Sequence, residues 1–537
     1  MTSTTSPRTT VRADLLAQLA KSPRYDLAVV GGGATGLGVA LDAAARGFSV
    51  VLLEANDFAK GSSSRATKLV HGGVRYLAQG NIALVREALH ERTTLLANAP
   101  HLAQPLPFVM PAYRLWEVPF YGIGLKLYDA LAGKAGLGST QLLGRAATLA
   151  RIPGVQAQGL KGGVQYWDGQ FDDARLAVTL ARTAAAQGAL LINHCPVETL
   201  LYESGRVSGL VCRDAEGGEA YTVHAGCVVN ATGVWVDALR AQDSAAAGQT
   251  AQALVSPSQG VHLVVDADFL PGGHALLVPH TSDGRVLFAV PWLGKVVLGT
   301  TDTPRPDASA EPKPFQEEID FILGESARYL RRAPKASDVR STWVGLRPLV
   351  RPQASHGAGA DVTKKISREH TVLSGPGGLV TVTGGKWTTY RAMAEDVLAH
   401  CAEQGLIERR AAGATNALRL IGSPSPGGVT VSIGAPPGAH LYGSEAPLLG
   451  SLPGADIFLA PGLSEAMVRF AVRHEYARTV EDVLARRSRL LFLDADAASA
   501  LGSRVAEILR EEGVSNPDAE GFAVLARQFA ATSHPAA

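Results

Sequence analysis

Residues 25–54 read YDLAVVGGGATGLGVALDAAARGFSVVLLE, and their pattern decides the fold. Leu27 to Val30 is an apolar run with no polar residue, as a strand buried on both faces of a parallel sheet requires. Gly31, Gly33 and Gly36 follow as G-x-G-x-x-G at the turn into a helix. The first glycine permits the sharp turn, the second lets backbone approach a pyrophosphate, and the third lets helix and strand pack closely. The helix start turns unpaired N–H groups and the positive end of its dipole toward those phosphates. A second strand, Ser49 to Leu53, ends in Glu54, eighteen residues beyond Gly36. A carboxylate there accepts from a ribose 2′-hydroxyl and repels a 2′-phosphate. A tight turn with no ligand leaves Glu54 unexplained, so the segment reads as a dinucleotide site.

The fingerprint alone serves NAD and FAD equally well. Gly226 to Gly233, GCVVNATG, is a buried strand entering a turn at Ala231, Thr232 and Gly233. Leu379 to Arg391, LVTVTGGKWTTYR, is another strand, followed by Gly384, Gly385 and a helix start near Thr388. An extended FAD needs one site for its adenosine end and a second, remote in sequence, for the flavin. A helix N-terminus there stabilises negative charge on a reduced flavin ring. Gly61 to Tyr76, GSSSRATKLVHGGVRY, is rich in hydroxyls and small residues that can line a flavin. Ser62, Ser63, Ser64, Thr67, Lys68, Gly72 and Gly73 are its candidate cofactor contacts. With three segments combined, FAD is preferred to NAD.

At this point the chain resembles the FAD-dependent glycerol-3-phosphate dehydrogenases, bacterial and mitochondrial. The resemblance is carried by GGGATG at 31–36, SSRATKLVHGGVRYL at 63–77 and PHLAQPLPFVMP at 100–111. VNATGVWVD at 229–237, GVHLVV at 260–265, VLGTTDTP at 297–304, GLRPLV at 345–350 and GGKWTTYR at 384–391 continue it in order. HEYARTVEDVLARRSRLLFLDA at 474–495 looks like the family's C-terminal domain. Two departures stand out: Ala66 replaces a usual serine, and no D-x-D-x-D-G calcium loop follows residue 400. The match is therefore to the bacterial aerobic form.

The resemblance implies an α/β fold: a Rossmann-like FAD-binding domain, an inserted α+β substrate domain and a C-terminal helical domain. The FAD-binding segments are read at 20–100, 160–250 and 355–400, and the substrate segments at 101–159 and 251–354. GSPSPGG at 422–428 reads as a linker, with helices at 429–530 suggested by Met467, Phe470 and Ala471. The 537 residues suffice for two or three cores, and 46% hydrophobic with 18% charged residues suits a globular chain. A net charge of +1 without a basic tract gives nucleic acid no footing. Cys195, Cys212, Cys227 and Cys401 lack C-x-x-C spacing and read as idle thiols of a reducing compartment. No metal site is expected, because His474-Glu475 is followed by Arg478 where H-E-x-x-H needs histidine. The Ser/Thr-rich first twenty residues read as a disordered leader. No apolar run of eighteen exists, so the expected location is the cytoplasm or the cytoplasmic face of the inner membrane.

The implied reaction oxidises the secondary alcohol of sn-glycerol 3-phosphate to dihydroxyacetone phosphate by hydride transfer to FAD. A phosphate dianion needs fixed cations once it leaves water. Arg75, Arg347, Arg368, Lys386 and Arg391 are the candidates, with Tyr76 beside Arg75. Arg347 in GLRPL and Lys386 after two glycines are preferred and are counted as catalytic too. His262 in GVHLVV is the first choice of base, with His71 behind it. The resemblance implies a membrane quinone as electron acceptor. Trp116 to Leu131, apolar and aromatic, reads as an interfacial helix or as core packing. A homodimer stays open. The rival functions are an oxygen-dependent glycerol-3-phosphate oxidase, an amine- or amino-acid-oxidising flavoenzyme of the same fold, and a nucleotide-binding regulator without turnover.

Overall fold

The computed structural model describes residues 9–22, 24–73, 81–351 and 370–530. Tyr25–Val30 is a strand of which only Asp26 is exposed. It pairs in parallel with Ala220–Asn230 on one side and Val50–Leu53 on the other, as a run apolar on both faces demands. The sheet runs His370–Ser374, Val380–Gly384, Ala220–Asn230, Tyr25–Val30, Val50–Leu53, Leu190–Ile192, with Val197–Glu203 and Arg206–Arg213 folded out from Ala220–Asn230. Helix Ala34–Ala45 is buried from Gly36 to Ala44 between helices Asp173–Ala186 and Tyr390–Glu403. Its small side chains make that crowding possible. A Cβ on Gly36 would collide with the Gly31 carbonyl, so this position admits only glycine.

A ten-stranded second sheet carries the order Thr303–Pro304, Val255–Asp266, Lys295–Gly299, Leu287–Trp292, Ala275–Val278, Ala103–Ala112, Gly162–Phe171, Leu69–Val70. Ser341–Val350 pairs with Val255–Asp266 over ten residue pairs, and Gln141–Gly144 pairs with Gly162–Phe171. Leu69–Val70 and Gly162–Phe171 lie within stretches read as FAD-binding, yet they hydrogen-bond into this sheet. Alternating burial cannot say which of two sheets a strand joins. The chain therefore crosses between the sheets next to the hydroxyl-rich loop.

The disordered leader is corrected for the part described. Arg12–Lys21 is a helix that buries Leu15 and Leu19, one turn apart. The Arg12 guanidinium donates to the Asp214 carboxylate and to the Asn193 and His194 carbonyls. Residues 1–8 lie outside the described residues. The linker reading also changes at its first residues: Ser423 Oγ donates to the Asn98 carbonyl (2.6 Å), and the Gly422 carbonyl accepts from Ser444 N (2.8 Å). This stretch is laid against the body of the protein.

Beyond it, helices Glu465–Glu475, Ala495–Glu511 and Ala519–Phe529 bury Met467, Phe470 and Ala471. Buried ion pairs join this region to the first sheet's domain: Arg175 of helix Asp173–Ala186 with Glu475 (2.7 Å), and Asp57, in the turn after Val50–Leu53, with Arg486 and Arg487. All four cysteines are buried free thiols, with Cys227 and Cys401 sulfurs 3.6 Å apart.

Candidate active site and cofactor cradle

The dinucleotide segment closes as its spacing requires. Gly31 turns at φ +107°, and Ala231 N donates to the Val30 carbonyl (2.9 Å), which sets the second turn beside the first. Gly33, at the N-cap of helix Ala34–Ala45, has no side chain to satisfy the first-turn N–H groups. One of them, Ala34 N, donates to Ser63 Oγ (2.9 Å). Glu54 accepts from Gly32 N (2.6 Å) and Asn56 N (2.8 Å), and burial raises its pKa above the ordinary carboxylate value. A carboxylate has about four acceptor positions, so two remain for ribose hydroxyls. Thr232 Oγ1 donates to Asn230 Oδ1 (2.7 Å), and Gly233 turns at φ +63°. Gly31, Gly33, Gly36, Glu54, Ala231, Thr232 and Gly233 thus gather at the C-terminal ends of neighbouring parallel strands, where such sheets hold nucleotides.

The flavin-end segments also converge. Trp387 Nε1 donates to the Ser63 carbonyl (2.8 Å), and Thr388 Oγ1 donates to the His71 carbonyl (3.4 Å). Gly385 turns at φ +70° into the short helical turn Trp387–Thr389 and then helix Tyr390–Glu403. The Ser62 hydroxyl donates to the Leu346 carbonyl. Gly72 N donates to Asp168 Oδ1 (3.3 Å), and Gly73 turns at φ +79°. Lys386 is half-buried at the residue before the turn.

Two expected site residues are corrected. Lys68 is fully buried behind the loop, with Nζ donating to Asp173 Oδ2 (2.7 Å) and to the Ser64 carbonyl (2.8 Å), so it does not face a cofactor. Arg391 is buried against Glu91 and Glu395 and is structural instead of substrate-binding. Their carboxylate partners lie far off in the chain, or one helical turn on at Glu395, so a motif shows the cation but not its satisfaction. Arg75, Tyr76 and Arg368 lie outside the described residues.

The second sheet carries His262 and Arg347. His262 opposes Trp343, Gly260 opposes Gly345, and Ser258 opposes Arg347. Side chains two apart share a face, so His262, Trp343 and Arg347 stand on one face with paired glycines between them. The glycines leave the space: a Cβ on Gly260 would strike the Arg347 guanidinium, and one on Gly345 would lie 2.7 Å from the Arg65 carbonyl. Thr67 Oγ1 and His262 Nε2 share a 3.0 Å hydrogen bond, and the imidazole stacks on Trp343 with centroids 5.3 Å apart. His262 Nδ1 is buried and meets no partner among the described residues. Burial, then the cations of Lys68 and Arg347, hold the imidazole well below its ordinary pKa, so it is neutral at neutral pH. Arg347 is oriented by Asp302 Oδ1 (3.1 Å), Thr300 Oγ1 (3.2 Å) and the Thr301 carbonyl (2.9 Å). Asp302 and Trp343 were not singled out from the sequence. Asp302 lies in VLGTTDTP, a motif that could have pointed to it, whereas Trp343 carries no local signal.

A glycine-turn nucleotide cradle on a parallel sheet, joined to a second sheet that presents a buried neutral histidine, defines a flavin-linked oxidoreductase. The family described as FAD dependent oxidoreductase matches residues 26–391, and the chain belongs to that family. The C-terminal domain of alpha-glycerophosphate oxidase matches residues 439–516. The probable mitochondrial glycerol-3-phosphate dehydrogenase of Caenorhabditis elegans is 39% identical, over 96% of this chain and 75% of its own. The mitochondrial glycerol-3-phosphate dehydrogenase of Bos taurus is 40% identical, over 92% of this chain and 71% of its own. The solved glycerol-3-phosphate dehydrogenase from Bacillus halodurans, complexed with FAD, is 29% identical with a TM-score of 0.75, covering 98% of this chain and 100% of that one. FAD is the cofactor, and the residues of the cradle fit it.

Glu54→Ala is expected to weaken FAD retention by about 1.5–3 kcal/mol, roughly tenfold to a hundredfold, as for loss of a charged hydrogen-bond acceptor. Flavin absorbance per protein after dilution and gel filtration measures it. Unchanged retention would remove Glu54 from the ribose site.

Proposed function

We propose that the protein oxidises sn-glycerol 3-phosphate to dihydroxyacetone phosphate and passes the electrons to a membrane quinone. The observation that carries this reading is the shared sheet face on which His262 and Arg347 stand, separated by the glycine pair. FAD, when bound, supplies the hydride acceptor. The Arg347 guanidinium, held by Asp302, Thr300 and the Gln259 and Thr301 carbonyls, sets a fixed positive charge beside this face for a phosphate dianion, and Lys386 at the flavin turn adds a second cation. His262, neutral and braced by Thr67, takes the hydroxyl proton as the carbinol carbon loses its hydride. The relatives' names support this substrate, and an amine or amino acid would need one carboxylate-binding arginine in place of a cation set.

The acceptor reading rests on helix Glu117–Ala132. Trp116, Phe120, Ile123 and Leu127 follow one helical face and are exposed, Phe120 by 62% and Ile123 by 72%. The opposite face buries Gly122, Leu125 and Tyr128, and Tyr128 packs under Gly72 of the flavin loop. An apolar outer face of this kind suits a peripheral seat in the lipid interface. No helix among the described residues is long and apolar enough to cross a membrane. Quinone would approach where this helix meets the flavin loop. Oxygen as acceptor is the alternative, and mixing the substrate-reduced protein with oxygen or a quinone analogue decides between them.

Anaerobic mixing with glycerol 3-phosphate should bleach the flavin. His262→Asn should slow that step by about 10²–10⁴-fold with FAD content intact. In the native protein the rate should fall as pH drops through the depressed His262 value, so the acid limb lies below 6.5 and vanishes in the variant. A rate within a few-fold of the native one would hand the role to another group. Arg347→Ala should raise KM for glycerol 3-phosphate and lower kcat/KM by about 2–4 kcal/mol, roughly thirty-fold to a thousand-fold, while oxidation of unphosphorylated glycerol barely changes. Equal losses with both would make Arg347 structural. Phe120→Glu with Leu127→Glu should abolish liposome co-sedimentation yet spare bleaching by substrate. Retained liposome binding would refute the membrane face.

A further inference from the structure

Arg489 belongs to the C-terminal region, yet its guanidinium lies directly behind the active-site loop. It is fully buried, and its Nη2 donates to the Ser64 carbonyl (2.7 Å) and to Asp173 Oδ1 (3.1 Å). Nη1 donates to the Ala485 carbonyl (2.7 Å), and Nε stands 3.6 Å from Asp172 Oδ1. Lys68 uses the same two acceptors from the other side, Asp173 Oδ2 at 2.7 Å and the Ser64 carbonyl at 2.8 Å. Asp173 Oδ2 also accepts from Ala66 N (3.0 Å). Both neighbours of Thr67 are therefore tied to one carboxylate. Thr67 itself meets His262.

The surroundings hold this set in place. Lys68 and Arg489 both sit in the left-handed region, at φ +66° and +65°, which side-chain-bearing residues keep only where other contacts enforce it. Trp292 and Phe492 wall both cations, at 5.0 and 5.4 Å for Lys68 and at 5.3 and 4.2 Å for Arg489. Trp343 faces Lys68 at 5.2 Å and stacks on His262, so one ring separates the buried cation from the imidazole.

We propose that Arg489 and Asp173 are positioning residues for the proton acceptor: they clamp the Ala66–Lys68 turn so that the Thr67 hydroxyl holds the His262 ring, and the C-terminal region thereby completes the active site. This rests on His262 taking the substrate's hydroxyl proton. The charged groups acting on Lys68 are Asp173, Asp172 and Arg489, and those acting on His262 are Lys68 and Arg347. Burial brings the Lys68 ammonium down to about 7 in spite of Asp173. Its charge thus bears on the imidazole below neutrality and is relieved above it.

The test uses the FAD-loaded full chain with glycerol 3-phosphate under anaerobic conditions. Native flavin that does not bleach would refute the proposed function itself, and this is read before any variant. Arg489→Lys keeps the charge but loses the fork between Ser64 and Asp173. It should retain FAD and KM while the limiting rate of flavin reduction falls about tenfold to a hundredfold, the scale of a misplaced reacting group. Lys68→Met removes the cation beside His262 and should move the acid limb of the reduction rate up by about one pH unit. A native limiting rate in Arg489→Lys would overturn the inference. So would a parallel loss of FAD, KM and thermal stability, which marks a purely structural role. If Arg489→Lys does not fold, the Lys68→Met limb decides alone, and an unmoved limb overturns the inference.

Discussion

The Asp173 carboxylate, fully removed from water and shared by Lys68, Arg489 and the backbone N–H groups of Ala66 and Ala174, is the constraint on which the rest of the site depends. A carboxylate in that position is tolerable only while its cations stay in place, because an unpaired buried charge costs about 3–5 kcal/mol. The same turn is held on every side. Ser63 reaches the start of the nucleotide helix and, through its carbonyl, Trp387 at the flavin end. Ser62 and Thr67 reach the second sheet, at Leu346 and His262. Four parts of the chain that are distant in sequence therefore meet on one loop of seven residues, 62–68.

This arrangement separates two kinds of charge. Behind the loop, buried ion pairs fix geometry. On the open face, Arg347 pairs with Asp302 and stays partly exposed. Between the two lies His262, whose neutrality follows from burial reinforced by cations on both sides. The glycines at 260 and 345 make room beside it for the Arg347 guanidinium and the Arg65 carbonyl.

The outer surface follows a different logic. Helix Glu117–Ala132 presents bulky apolar groups outward, although polar residues would serve solubility better. Its inner face is pinned by Tyr128 to Asp168 (3.3 Å) and lies under Gly72, so a force or partner on the outer face acts next to the flavin loop.

Much of the fold is local information. The strand–glycine–helix–strand–acid order of residues 25–54 is a set of short-range backbone requirements, and it determined the nucleotide cradle without reference to any other segment. That His262 and Arg347 share one sheet face follows from the register of Val255–Asp266 against Ser341–Val350. The partnerships of charges were not legible. Lys68 looked like a cofactor ligand and Arg391 like a substrate ligand, until folding brought Asp173 to the one and Glu91 to the other. Arg12–Lys21, in the stretch read as a disordered leader, is a helix that buries Leu15 and Leu19 and pairs Arg12 with Asp214, two hundred residues away. Backbone conformation is encoded within a few residues. Whether a charge binds a ligand or a carboxylate depends on which distant segment arrives beside it, and only the tertiary structure decides that.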